Sequence, residues 1–345
     1  MNADSAPRHY LCFATNQPLV NLTPVAGGCV SVAGITILSW PKNRDYAQWL
    51  QTALGQVTGR RVPIAIAEVH DGYDLALCRQ SIAGIAASHP EGCVANVTGG
   101  SKVMALAAWE VLNRPQDALC YVDPNTDELR WLRPDLPSIQ IPDRLSLAVW
   151  LSAFGFASPP DSPLSRPDSR RLEAAAQQAY ARVKEIAAAY RDGKRVEALE
   201  LSTGPGQWLE TYLAYTLAHL FSGQPSLASR IHDISGPFKV YRLNNRSVTN
   251  ELDGALLYNN RLFIFEAKNG HEAQGRQAVD AIFRLGQLRQ QIGGWLSCGV
   301  FIASRQNSDV IKARASELGV HVIDGPQLPK LRSHIEGLLQ RPVRG

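Results

Sequence analysis

The segment NELDGALLYNNRLFIFEAKNG, residues 250–270, sets three carboxylates and a lysine among short apolar runs. Two of these runs flank Asn259-Asn260, and asparagine tolerates the positive φ that a two-residue hairpin turn demands. In that register Tyr258 faces Arg261. Counting outward puts Asp253 opposite Glu266 and Glu251 opposite Lys268. Residues i and i+2 of a strand share a face. Unless a bulge intervenes, Glu251, Asp253, Glu266 and Lys268 are therefore expected to project together. Leu252, Leu256, Phe263 and Phe265 are expected on the opposite face, against helices. Opposed carboxylates destabilise a hairpin, and a divalent cation between them removes the objection. Asp253 and Glu266 offer hard oxygen ligands suited to Mg²⁺ or Mn²⁺, and the Ala267 carbonyl is a further candidate ligand. Lys268 is placed to orient or help deprotonate a water, or to stabilise charge on a phosphate. The blander alternative is an exposed hairpin with ordinary surface ion pairs. Glu-x-Lys alone is common by chance; an aspartate set across a hairpin makes the pattern more specific.

Asp253, Glu266 and Lys268 resemble the motif of the PD-(D/E)XK restriction-endonuclease-like nucleases. The resemblance implies metal-assisted attack of water on a phosphodiester. It also implies a fourth member, Glu210, because GPGQWLETYLAY (204–215) is similar to the opening helix of these nucleases. The sequence departs from the family in having Leu252-Asp253 where a literal Pro-Asp is usual. Further on, Arg284, Gln287, Arg289 and Gln291 in RLGQLRQQIGG (284–294) are candidates to track a phosphate backbone or to assist the metal site; a solvated helix face is the competing account.

A second chemical segment is CVANVTGGSKVMALAAWEVL, residues 93–112. A strand runs into Thr98-Gly99-Gly100-Ser101 and then into a helix. Glycines let a backbone approach a ligand, and the first N–H groups of a helix lack intrahelical partners and suit an anion. Lys102 in the first helical turn opposes the helix dipole, which is better explained if it faces a phosphate. A tight strand-to-helix turn capped by Ser101 is the plain alternative. Neither the Walker A pattern nor Gly-x-Gly-x-x-Gly is present.

Asn96 through Lys102 resembles the signature of CARF domains, the Rossmann-like cyclic-oligoadenylate sensors of CRISPR systems. ATNQPLVNL (14–22), with Asn16, Gln17 and Pro18, resembles that family's ligand-contacting loop. Together the two resemblances span nearly the whole chain. A CARF domain joined to a PD-(D/E)XK nuclease, with this GxWLE, ELD and FEAK wording, is similar to the Card/Can nucleases of type III CRISPR immunity. The similarity implies cyclic tetra-adenylate as activator, bound by Asn16, Gln17, Pro18, Thr98, Gly99, Gly100, Ser101 and Lys102. It also implies a DNA or RNA substrate. A two-fold homodimer sharing one ring suits the two-fold symmetry of the ring.

These segments need scaffolds. Strand-like stretches at 9–15, 28–38, 62–69 and 93–97 alternate with helical patterns at 43–57, 73–88 and 101–112, and a strand pair follows at 118–122 and 128–132. Such alternation predicts a mostly parallel sheet covered on both faces. ASPPDSPLSRPD (157–168) holds four prolines, so no helix or central strand continues through it. The boundary is placed there: a Rossmann-like CARF domain over 1–156, a linker and connector helix over 157–203, and a restriction-endonuclease-like α/β domain over 204–345. In the last, a helix at 207–220 is followed by strands at 237–244, 248–258 and 261–268. A helix at 275–291, a strand at 298–303, a helix at 308–318 and a strand at 320–323 complete it.

At 345 residues the chain fits two domains. A net charge of only +4 means that any nucleic-acid surface must be local. The cysteines, at 12, 29, 78, 93, 120 and 298, form no Cys-x-x-Cys pair and read as buried thiols of a reducing cytoplasm. The polar start MNADSAPRHY carries no secretory signal, and no apolar run reaches a membrane span. Two rivals remain: a ligand-independent repair or restriction nuclease, and a CARF regulator without catalysis. No helix-turn-helix supports the second. A dinucleotide-dependent oxidoreductase fails for want of its glycine fingerprint.

Overall fold

The computed structural model describes residues 7–194, 196 and 207–341. The chain divides into two compact units at Phe156/Ala157, and the two-residue strand β8 (Phe156–Ala157) spans the division. The last part of the expected connector, 197–203, and Gly204–Gly206 of the helix-opening motif lie outside the described residues.

The N-terminal unit is a doubly wound α/β layer. Its strands are β1 (Arg8–Phe13), β2 (Val32–Ser39), β3 (Ile64–Glu68), β4 (Cys93–Asn96), β5 (Ala118–Asp123), β6 (Glu128–Arg133) and β7 (Ile139–Gln140). They lie in the order β3-β2-β1-β4-β5-β6-β7. β3 through β5 run parallel, while β6 and β7 join antiparallel at the edge. The helices are α1 (Leu19–Ala26), α2 (Arg44–Val57), α3 (Leu75–Ala87), α4 (Lys102–Val111) and α5 (Leu147–Ala153). α1 and α5 are additions to the pattern legible in sequence. Both are short and nearly all apolar, so they carry no amphipathic signal. One face of the sheet packs Leu11, Phe13, Ala95 and Leu119 against Ile82 of α3 and Met104 of α4. The order reverses between β1 and β4, so the loops after these strands border the switch point where open α/β sheets bind ligands.

In the C-terminal unit, residues 158–168 are irregular but not loose. The Ser165 N–H donates to Ser235 Oγ, the Gly236 N–H to the Ser165 carbonyl, and the Lys239 N–H to Ser162 Oγ. Asp168 caps α6 (Ser169–Arg191) by accepting from the N–H groups of Arg170 and Arg171. The sequence suggested a connector here. α6 is instead a packed member of this unit, with Ala179 and Val183 in the same core as Leu209, Leu213 and Leu217 of α7 (Gln207–Ala218).

A five-stranded sheet follows, built from β9 (Ile231–Ser235), β12 (Gly254–Tyr258), β13 (Arg261–Lys268), β14 (Ser297–Ala303) and β15 (Val320–Ile323), in the order β15-β14-β13-β12-β9. β10 (Phe238–Arg242) and β11 (Asn245–Leu252) pair separately. α8 (Gly275–Gly293), α9 (Asp309–Glu317) and α10 (Leu331–Leu339) complete the unit. The edge strand β9 and helix α10 had no clear sequence signal. The predicted strand at 248–258 is two strands, broken at Asp253.

Candidate functional site

Asn259 and Asn260 both adopt positive φ, 55° and 52°, which is the left-handed pair a tight hairpin needs. The register is the expected one as far as it runs: Tyr258 pairs with Arg261, Leu256 with Phe263, and Gly254 with Phe265. There it stops. The Asp253 N–H still donates to the Phe265 carbonyl, but β11 leaves for another sheet and Glu251 pairs with Lys239. The expected rung between Glu251 and Lys268 does not form, and Glu251 is exposed.

The break creates the site. With its main chain turning away, buried Asp253 points its carboxylate back along β13, and Oδ2 accepts the Ala267 N–H at 2.6 Å. A parallel ladder is bonded through alternate residues. Glu266 and Lys268 therefore bond toward β14, and the Lys268 carbonyl accepts from the Ser304 N–H. The N–H and carbonyl of Ala267 face the Asp253 side. Asp253, Glu266 and the Ala267 carbonyl thus supply a hard-oxygen set at the end of two strands. Lys268 Nζ lies 2.8 Å from Glu266 Oε1. Among the described residues, no three His, Cys, Asp or Glu side chains are gathered as metal ligands. A cation here would take two carboxylates and a carbonyl and complete its shell with water or phosphate oxygens.

The electrostatics favour such an ion. Burial, then the charges of Glu266 and Glu210, push the Asp253 carboxyl up to about 7 against the pull of the Ala267 N–H and Lys268. Glu210, in the first turn of α7, is half-buried. Burial raises its pKa, Lys268 opposes this, and Glu251 and Glu266 add to it. Burial pulls the Lys268 ammonium down, but Glu266 and Asp253 outweigh it and the net shift is upward. Lys268 therefore stays charged, which favours charge stabilisation over a role as base. Four acidic and basic side chains from α7, the β11/β12 break and β13 converge on one locus. A divalent cation relieves the repulsion that raises Asp253, so the residues present fit one.

Arg289 does not join this site. It donates to the carbonyls of Leu318, Gly294 and Ser297. It is thus spent on closing the end of α8, while Arg284, Gln287 and Gln291 occupy its exposed face.

In the N-terminal unit the glycine turn is held from within. Asn96 Nδ2 donates to Tyr10 Oη and to the Val20 carbonyl, and its Oδ1 accepts from the Thr98 N–H and hydroxyl. Thr98 Oγ1 accepts from the Val122 N–H at 2.7 Å. Ser101 caps α4 by accepting the Met104 N–H and donates to the Gly72 carbonyl. The two hydroxyls are therefore committed to the turn. What the turn presents outward is the Gly100 backbone and the exposed Lys102. Gly100 has φ +75°, and a Cβ at Gly99 would lie 2.7 Å from the Phe13 carbonyl oxygen. Across from it, Asn16 is exposed, Pro18 is buried at the start of α1, and Gln17 Oε1 is buried without a partner. Sequence reading missed the loop 70–74. It borders the turn through Gly72 and carries Tyr73, 67% exposed, edge-on to Trp40.

Residues 197–341 match the family model of the Card1-like endonuclease domain. The matched stretch lies in the C-terminal unit. The carboxylates and lysine described above lie in it. No curated protein matches the sequence. Solved structures share the fold of both units. Protein VC1899 from Vibrio cholerae aligns with a TM-score of 0.78 at 22% identity, over 96% of this chain and 98% of that one. Can2 from Sulfobacillus thermosulfidooxidans, in complex with cyclic tetra-adenylate, aligns with a TM-score of 0.71 at 20% identity, over 97% of each chain. A type III CRISPR defence DNA nuclease activated by cyclic oligoadenylate aligns at 0.61 and 17% identity, over 87% of this chain and 46% of that longer one. The α/β architecture expected from sequence, a Rossmann-like unit ahead of a restriction-endonuclease-like unit, is the one observed. Among the described residues, no helix is long and apolar enough to cross a membrane.

Proposed function

We propose that this chain is a metal-dependent nuclease of type III CRISPR antiviral defence, switched on in the cytoplasm by cyclic tetra-adenylate bound to its N-terminal unit. The carrying observation is the convergence of Glu210, Asp253, Glu266 and Lys268 where pairing of β12 with β13 ends. Asp253, Glu266 and the Ala267 carbonyl would hold Mn²⁺ or Mg²⁺. When bound, that ion supplies positive charge at the scissile phosphate. Lys268, kept protonated by its carboxylate neighbours, stabilises the charge that grows on the phosphate oxygens during attack by water. Glu210, which holds a proton more readily than an exposed glutamate, is assigned to receive the proton of that water. The substrate is DNA, RNA or both.

The activator reading rests on the turn. Gly99, Gly100 and the first N–H groups of α4 suit phosphate, Lys102 adds charge, and Asn16 and Gln17 face it from the next loop. One such turn covers only part of a four-phosphate ring, so a two-fold homodimer is the working unit. In support, α4 carries exposed Leu106 (57%) and Trp109 (45%) beyond Lys102, an apolar stripe suited to a second copy. The ring shifts the nuclease units only by binding their active arrangement more tightly.

The test is cleavage of labelled single- and double-stranded DNA and RNA, with and without cyclic tetra-adenylate, in Mn²⁺, Mg²⁺ or EDTA. Glu266→Ala and Lys268→Ala are expected to abolish cleavage and retain activator binding. Cleavage in excess EDTA, or full activity of Glu266→Ala, overturns the assignment.

A further inference from the structure

At the C-terminal ends of the parallel strands of the N-terminal unit, the loops 14–18 and 98–102 hold the residues assigned to the activator. Two neighbouring loops are tied to them and carry aromatic rings. After β2, the Asn43 side chain donates to the Ala14 carbonyl at 2.9 Å, which fixes the segment Trp40–Asn43 beside Asn16 and Gln17. After β3, loop 70–74 leaves the edge of the sheet and reaches the N-cap of α4, the helix that follows β4, three strands away in the sheet order. There Ser101 Oγ donates to the Gly72 carbonyl. Gly72 packs tightly against Trp40, since a Cβ on it would lie 2.9 Å from two indole carbons. The contacts Ala14–Asn43, Trp40–Gly72 and Gly72–Ser101 therefore close a circuit between the two activator loops.

Loop 70–74 is held by its own side chains and shows a ring to solvent. The Tyr73 N–H donates to Asp71 Oδ1, and Asp74 caps α3 by accepting the Leu77 N–H. Tyr73 is 67% exposed, more than any other Phe, Trp or Tyr among the described residues. Trp40 braces it in an edge-on contact, with centroids 6.2 Å apart and planes at 70°. At that exposure a face of the tyrosine ring is open to a ligand. Charge divides the work between the loops. The glycines, Lys102 and the first N–H groups of α4 suit phosphate. Loop 70–74 contains Asp71 and Asp74 and no lysine or arginine, so it disfavours phosphate. What it offers is an aromatic face, on which a nucleobase stacks.

We infer that Tyr73, braced by Trp40, is the stacking platform for an adenine of the activator whose phosphate lies on the Gly99-Gly100-Lys102 turn. This inference rests on the activator reading, and it adds the residue that meets the base. Tyr73 follows Gly72 and Lys102 follows Ser101, so the hydrogen bond between Ser101 and Gly72 sets the spacing of ring and cation. A purine covers more of the tyrosine face than a pyrimidine does, so the platform favours adenine rings over uracil rings.

The test is calorimetric titration of the full-length protein with cyclic tetra-adenylate and with cyclic tetra-uridylate, which keeps the phosphates and carries smaller bases. Tyr73→Ala, at an exposed position, is expected to melt with wild type. It is expected to bind cyclic tetra-adenylate about tenfold more weakly and to lose less affinity for cyclic tetra-uridylate. Tyr73→Phe keeps the ring and is expected to bind within about twofold of wild type. Lys102→Ala is expected to weaken both ligands by the same factor, because the phosphates are common to them. Tyr73→Ala binding cyclic tetra-adenylate within about twofold of wild type overturns the platform, and so does Tyr73→Phe losing as much affinity as Tyr73→Ala. A wild-type protein that binds neither ligand overturns the activator reading and the platform with it.

Discussion

Replacing Asp253 by asparagine in the metal-free protein isolates the electrostatic strain at the site. The carboxyl rises from 3.8 to about 7, first through burial and then through Glu266. Between those values the folded chain holds a proton that the unfolded chain releases, so stability falls as pH rises across the window. The full cost is present above pH 7 and absent below about 3.8. At about 1.4 kcal/mol per pH unit that cost is about 4 kcal/mol. Asparagine keeps the shape and can still accept the Ala267 N–H, losing about 1 kcal/mol because the bond is no longer charge-assisted. The expected net gain at pH 8 in EDTA is therefore about 3 kcal/mol, or roughly 6–12 °C in the melting of a unit this size. At pH 4 the difference should nearly vanish. Calorimetry of wild type and Asp253→Asn at both pH values checks this. Added Mn²⁺ should raise the wild-type midpoint and leave the variant unmoved. An Asp253→Asn protein that melts at or below wild type at pH 8 refutes the argument that this carboxylate is strained and awaits a cation.

Lys102→Ala should weaken cyclic tetra-adenylate binding and raise the activator concentration needed for cleavage; calorimetry should show one ring per two chains, and one per chain counts against a shared ring. Gly100→Val should abolish activator binding, since φ +75° is strained for a branched residue and its Cβ would meet Phe13 Cβ at 2.6 Å; full binding by this variant would show that the turn is not the site. Arg289→Ala should lower stability by about 2–3 kcal/mol, because three carbonyls lose a charged donor. Its oligonucleotide affinity should match that of wild type, and a selective loss of affinity would restore the phosphate-tracking role the structure withdraws.

Much of the site was legible because it obeys short-range rules. Asn259-Asn260 dictates a tight turn, and the turn dictates the pairing of Tyr258 with Arg261 and every rung out to Gly254 with Phe265. Period two then puts Glu266 and Lys268 on one face. The strand–Thr-Gly-Gly-Ser–helix wording likewise announces a close-approach turn capped by Ser101. Tertiary structure decided what lies beyond that range. Where the antiparallel ladder would stop was not written in the hairpin; it depends on β11 finding a separate partner in β10, and that departure turns Asp253 onto the Ala267 N–H. The polar side chains of Thr98, Ser101 and Arg289 carried no mark of whether they would serve a ligand or the fold. Their hydrogen bonds run to Val122, Gly72 and Leu318, residues far away in sequence, and only the packed chain brings those donors and acceptors within reach.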